Sequence, residues 1–139
     1  MVFFLLMSTL ISCKAEPEAI NYGKDICNYC KMEIIENSHA AQYVTKRGGQ
    51  FKFDAIECLV HALSEVNVSE IQLYLVSDFS KPGTMIIAQE ATYLVSHGIK
   101  SPMGANLSAV SSKELAEKLR KEHGGDLYTW DALIKKLDL

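Results

Sequence analysis

Residues 39–66 read HAAQYVTKRGGQFKFDAIECLVHALSEV, and this stretch decides the fold. His39 to Thr45 has the composition of a strand. Lys46-Arg47-Gly48-Gly49 is a turn, because two glycines accept positive φ at little cost. Gln50-Phe51-Lys52-Phe53 alternates polar and apolar and reads as the returning strand. Asp54, with Glu57 three residues on, has the form of a capping box and predicts a helix to about Val66. Its apolar stripe is Ile56, Leu59, Val60, Leu63 and Val66. Ile71 to Val76 then predicts a third strand.

Further along, the plan is repeated loosely. Met85 to Ala88 and Ala91 to Ser96 are extended segments, His97-Gly98 is a turn, and Asn106 to Val110 is a strand. Ser111 with Glu114 predicts a second cap, for a helix to about Glu122. His123-Gly124-Gly125 closes that helix with glycine where a left-handed stop is needed. Trp130, Leu133, Ile134 and Leu137 form the stripe of a short terminal helix. The pattern is α+β, with two small units packed together, residues 27–80 and 81–139, sharing a modest core.

The 139 residues are 48% hydrophobic and 22% charged with three prolines, which excludes collagen-like and wholly disordered chains. Fourteen basic and 17 acidic residues leave a net charge of −3, so no nucleic acid partner is expected.

Met1 to Ile11 carry no charge and are too few to span a bilayer, which takes roughly 20 residues. They read as the apolar region of an export signal, although no Lys or Arg precedes them. Leu10-Ile11-Ser12-Cys13 resembles a bacterial lipobox, which implies a cleaved signal at residues 1–12 and lipidation of Cys13. Residues 13–26, beginning Cys13-Lys14-Ala15-Glu16-Pro17-Glu18, read as the lipidated tether. Acyl chains contribute about 0.8 kcal/mol per buried methylene, enough to hold a soluble domain on a membrane. The expected place is a bacterial membrane surface facing the periplasm or another extracytoplasmic space, which is oxidising. Beyond Cys13 the cysteines are Cys27, Cys30 and Cys58. Three cannot all pair, so either one thiol stays free or the thiols serve a metal.

Cys27-Asn28-Tyr29-Cys30-Lys31-Met32 carries the chemistry. C-x-x-C alone suits a disulfide, a redox pair or half a zinc site. In an extended backbone, residues 30 and 32 point the same way, offering a thiolate with a thioether. Zinc takes thiolate, imidazole or carboxylate; copper(I) is soft and is selected by thiolate with thioether. Methionine more often packs in a core. Met103, however, stands in Ser101-Pro102-Met103-Gly104-Ala105, where proline and glycine hold it on a loop. Cys30, Met32 and Met103 together make a three-sulfur site suited to trigonal copper(I), with Cys27 as a further candidate metal thiol.

At these residues the chain resembles the NosL family, copper-binding lipoproteins encoded with nitrous oxide reductase. The resemblance is carried by Cys30-x-Met32, the Phe53-Asp54-x-Ile56 step, the Ser101 to Ala105 loop, and Gly124-Gly125. It implies two homologous ββαβ units and a copper(I) carrier for assembly of the reductase's copper centres. The partner it implies is apo nitrous oxide reductase, and the function is binding and delivery, not catalysis. By matching positions, Cys30, Met32 and Met103 are the metal sulfurs. The family often has Cys-Gly-Met where this chain has Cys30-Lys31-Met32, and neither Cys27 nor Cys58 is general to it.

Cys58 and His61 share a helix face turned away from the apolar stripe, and neither is expected in the core. Cys58 reads as a surface or inter-unit thiol, a disulfide partner, or, with Cys27, Cys30 and His61, part of a Cys₃His zinc module. His39, His97 and His123 are weaker metal candidates, His97 the best of them. The remaining alternative is a thiol–disulfide oxidoreductase using Cys27 and Cys30. It lacks a strand before the motif and a helix after it, the usual means of lowering a thiol pKa.

Overall fold

The computed structural model describes residues 14–137. The expected signal and the expected lipidation at Cys13 fall outside the described residues. The 39–66 stretch forms β1 (Ala41–Thr45), β2 (Gln50–Phe53) and α1 (Ile56–Leu63). β1 and β2 pair antiparallel, with Ala41 opposite Phe53 and Val44 opposite Gln50. Gly48 at φ 89 makes the turn, and the Gly49 N–H donates to Thr45 Oγ1 at 2.8 Å. β3 (Ile71–Ser77) pairs with the other edge of β1, and β4 (Met85–Ile87) with β3, giving the sheet order β2-β1-β3-β4.

A second sheet has the order β6-β5-β7, from β5 (Thr92–Val95), β6 (Leu107–Val110) and β7 (Asp126–Tyr128). Between β6 and β7 runs α2 (Lys113–His123), and α3 (Trp130–Lys136) follows β7. Strand, strand, helix and strand thus recur, each time with the first strand central: β2-β1-β3, then β6-β5-β7. β4 is the strand outside this repeat, and it joins the first sheet although it lies beyond residue 80. β7 is the strand that periodicity did not reveal, since three residues are too few to alternate convincingly. It follows directly on Gly125, where a Cβ would collide with the Val95 carbonyl and the Ser96 backbone.

The two units share one core. Ile56, Leu59 and Phe53 of the first belong to the same buried cluster as Tyr93, Leu107 and Leu133 of the second. The units are stitched where Phe79 N–H donates to the Ala109 carbonyl at 2.8 Å. α1 lies between them, touching β1, β2 and β6. Hence its burial is not confined to one face. Cys58 and Glu57, on the flanks of the expected stripe, are 1% and 3% exposed, while Val66 falls beyond the helix end and is 37% exposed.

Two caps differ from expectation. α1 has Ala55 at its N-cap with no side-chain cap, because Asp54 and Glu57 are engaged elsewhere. α2 is capped by Ser112, not Ser111, with the Leu115 N–H donating to the Ser112 hydroxyl. The segment expected as a tether is docked from residue 16 onward. Gln50 Nε2 donates to the Glu16 carbonyl, Gln42 Nε2 to that of Glu18, and Lys52 Nζ to that of Ala19. Ile20 is buried beneath them.

His39 is buried at the seam between the units. Its Nδ1 meets Ser38 Oγ at 3.0 Å and Glu36 at 3.3 Å, and its Nε2 meets Ser108 Oγ on β6 at 3.3 Å. Burial holds its pKa below the ordinary 6.5, against a smaller upward pull from Glu36 and Glu57. The unfolded chain therefore binds this proton more readily than the folded one. The stability this group contributes is complete above the ordinary histidine pKa of 6.5 and declines as pH falls below it. Urea midpoints of the parent should fall between neutral pH and about pH 5, and His39→Gln should flatten that slope. An equally steep slope in the variant would assign the effect to another group.

Candidate metal centre

The cysteine motif is a tight reversal clamped to the edge of β2. Ile26 and Glu33 bridge antiparallel, the Cys27 N–H donates to the Met32 carbonyl at 2.8 Å, and the Lys31 N–H to the Cys27 carbonyl at 3.1 Å. Asn28 ties this loop to the sheet twice. Its N–H donates to the Lys52 carbonyl, and its Oδ1 accepts from the Lys52 N–H, both at 2.8 Å. Lys52 Nζ also pairs with Asp25 at 2.8 Å, which holds the Asp25 carboxyl below its ordinary pKa. The clamp delivers Cys27 and Cys30 to the point where β2 passes into α1.

There Cys27, Cys30, Asp54 and Cys58 each place one ligand atom within 4.8 Å of the others. Cys27 and Cys58 are fully buried, Asp54 is 4% exposed, and Cys30 is half-buried on the open side. All three cysteines are free thiols. The Cys30 thiol donates to Asp54 Oδ1 at 3.3 Å. Asp54 is therefore not a helix cap but the carboxylate of this group. Its role was hidden because Asp before an apolar run is also the commonest capping signal. Cys58 was hidden by the assumption that α1 buries only one face. Sequence reading missed Asp54 and placed Cys58 with the other two thiols only in the zinc alternative.

The expected residues are distributed as follows. Cys27 and Cys30 are together. Met32 and Met103 are exposed, by 56% and 42%. Lys31 lies at φ 65, so the backbone from 30 to 32 is not extended, and the argument that these two side chains share a side does not hold. His61 is outside the thiol group and stacks on Tyr29, with ring centroids 5.8 Å apart. His97 meets Asn106 of the Met103 loop at 3.3 Å. Neither His97, His39 nor His123 joins the thiols.

Three thiols in one place cannot all ionise cheaply. Cys27 is brought down to about 6, first by the Cys58 thiol hydrogen-bonding to its sulfur. Cys30 is pushed up to about 11, chiefly by burial. Cys58 is driven well above the thiol range, because its proton is held on Cys27 and the group is buried. Cys58 stands in the first turn of α1, whose N-terminal partial charge also favours a thiolate nearby. At neutral pH the group is thus one thiolate and two thiols beside a carboxylate. A soft cation would replace the shared protons and be bound by sulfur.

The NosL family model matches residues 19–137, from the docked N-terminal segment through α3. The chain belongs to the NosL family. Among solved structures it is similar to the crystal structure of the copper chaperone NosL from Shewanella denitrificans, with a TM-score of 0.74 and 26% identity. The likeness covers 86% of this chain and 96% of that one. Among curated proteins none matches. The NosL match contains the Cys27 to Met32 reversal, the Asp54 to Cys58 step and the Met103 loop in a single span.

Lys31 is strained, because its φ of 65 is one that glycine adopts freely and other residues rarely take. Lys31→Gly should raise stability by roughly 0.5–1 kcal/mol in denaturant titration; a loss of stability would show that the hydrogen bond Lys31 Nζ donates to the Asn28 carbonyl, at 2.7 Å, outweighs the backbone. In the reduced, metal-free protein, ultraviolet thiolate absorbance should rise through pH about 6 with the amplitude of one cysteine. That step should vanish in Cys27→Ser and move to higher pH in Cys58→Ala. A titration unchanged by either substitution would assign the thiolate elsewhere.

Proposed function

We propose that the protein is a membrane-anchored copper(I) carrier that delivers its ion for assembly of the copper centres of nitrous oxide reductase. The observation that carries this reading is the meeting of three free thiols within 4.8 Å, two sealed from solvent and one, Cys30, at the opening. Membership of the NosL family and likeness to a copper chaperone support it.

Cys30 is the shared member of two sulfur sets. Inward are Cys27 and Cys58, which hold a soft monovalent ion away from water. Outward are the exposed thioethers of Met32 and Met103, neutral donors that bind copper(I) without proton release. The ion leaves by ligand exchange. A donor from the recipient attacks the low-coordinate copper on the open side, and each new bond replaces an old one, so no free ion forms. Nothing is turned over, and the function is binding and transfer. Cys13, lipidated, keeps the carrier at the membrane facing the extracytoplasmic space, and the recipient is the apo reductase.

Asp54 favours a second occupant, since three thiolates with a carboxylate also suit zinc. Competition against chromophoric chelators separates the two ions. Cys30→Ala should abolish copper(I) binding. Met32→Ala and Met103→Ala should each weaken it by roughly tenfold, or about 1.4 kcal/mol, while zinc binding and thermal unfolding stay as in the parent. If both methionine variants bind copper(I) as the parent does, the thioethers have no part in the site. A tighter hold on zinc than on copper(I) would overturn the carrier reading altogether. The lowered pKa of Cys27 would suit a redox thiol as well, but Cys27 is wholly buried, where a protein disulfide cannot reach it.

A further inference from the structure

Glu57 is the one buried side chain among the described residues with a polar atom that lacks a partner. It lies on the first turn of α1, beside Cys58, and is 3% exposed. Burying a carboxylate with one oxygen unpartnered opposes folding, so its other contacts must matter. Those contacts all go to one place. Glu57 Oε1 accepts from the Ser101 hydroxyl at 2.6 Å and from the Ala105 N–H at 3.2 Å. Ser101 Oγ in turn accepts from the Asn106 N–H at 2.9 Å, and the Ser101 carbonyl accepts from the Gly104 N–H at 3.1 Å. Both feet of the Met103 loop are therefore tied, directly or through one hydroxyl, to a single carboxylate oxygen. The loop has no strand or helix of its own, and it contains two positive-φ residues, Gly104 at 82° and Asn106 at 55°. The carboxylate that ties it is one residue from Cys58 and three from Asp54, the partner of Cys30.

We propose that Glu57 is a positioning residue that couples the thiol group to the Met103 loop. Resting on the reading of Met103 as a copper(I) donor, it holds that thioether at the end of α1 where the cysteines converge. α1 then acts as a rigid bracket with sulfur on one side and the methionine loop on the other. A side-chain carbonyl-type oxygen serves here because its two lone pairs accept both hydrogen bonds at once.

A thermodynamic cycle tests this in the full chain. Copper(I) affinity is measured by chelator competition for the parent, Glu57→Ala, Met103→Ala and the double variant. Each single variant should lose roughly tenfold, and the double variant should lose no more than either. Glu57→Gln should restore most of the loss, since its amide oxygen still accepts from Ser101 and Ala105. In the metal-free protein, amide exchange at Ala105 and Asn106 should speed up in Glu57→Ala and return towards the parent rate in Glu57→Gln. Losses that multiply in the double variant would overturn the coupling while leaving Met103 a ligand. Parent-like binding by Met103→Ala would remove the ligand reading and the coupling with it. Equal losses in Glu57→Gln and Glu57→Ala would overturn the proposal by tracing the effect to charge. Should Glu57→Ala fail to fold, Ser101→Ala, which removes only one hydroxyl, completes the same cycle with the same outcomes.

Discussion

One eight-residue helix is pressed from both sides, and most of what distinguishes this protein follows from that. Seven residues of α1 are buried, His61 being the exception. The first sheet covers one flank and β6 approaches another. Water is excluded from the first turn, so whatever polar or reactive groups stand there must satisfy one another. Asp54 takes the Cys30 thiol, Glu57 takes the Met103 loop, and Cys58 hydrogen-bonds to Cys27. Ordinary capping of the helix is given up in exchange: the N-cap is an alanine, and the first turn is served by no side chain. That sacrifice costs on the order of 1 kcal/mol, small beside the apolar burial of Ile56, Leu59, Val60 and Leu63.

The electrostatics of the thiol group follow from the same enclosure. A buried cluster tolerates one negative sulfur well and a second poorly. Cys27 therefore carries the charge, stabilised by the Cys58 proton, while Cys30 and Cys58 remain protonated. A soft cation relieves this arrangement by replacing protons that the sulfurs otherwise share. Cys30, the thiol nearest solvent, is also the one that links the buried donors to the surface. Its position gives the proposed transfer a direction, outward from Cys27 and Cys58.

The repeated topology clarifies how the two units divide labour. In the first, β1 and β2 are joined by the short turn 46–49. In the second, the equivalent strands β5 and β6 are joined by residues 96–106, and this longer connection carries Met103. The cysteine reversal precedes the first unit and is clamped to β2 by Asn28. The thiols and the methionine loop thus come from different parts of the repeat, and both are fastened to residues 54–58. On the proposed reading the site draws on both units, which gives the shared core a functional consequence.

Periodicity and turn chemistry, both local properties, were enough to reveal the first hairpin, the three α-helices, the glycine stop after α2 and the α+β class. The soft-metal character of Cys27 to Met32 was legible for the same reason, since donor softness belongs to the residue type. Family membership followed from short motifs in order. The helical wheel assigned Cys58 to an outer face, and the capping rule assigned Asp54 and Glu57 to the helix end. Both readings are correct for a helix with one neighbour. Only the tertiary structure supplied the second neighbour, and with it the burial that brought a flank thiol and a capping acid into one centre and buried Glu57 beside them. Local sequence dictates which face of a helix is apolar, but how many faces are buried depends on what the rest of the chain brings against it.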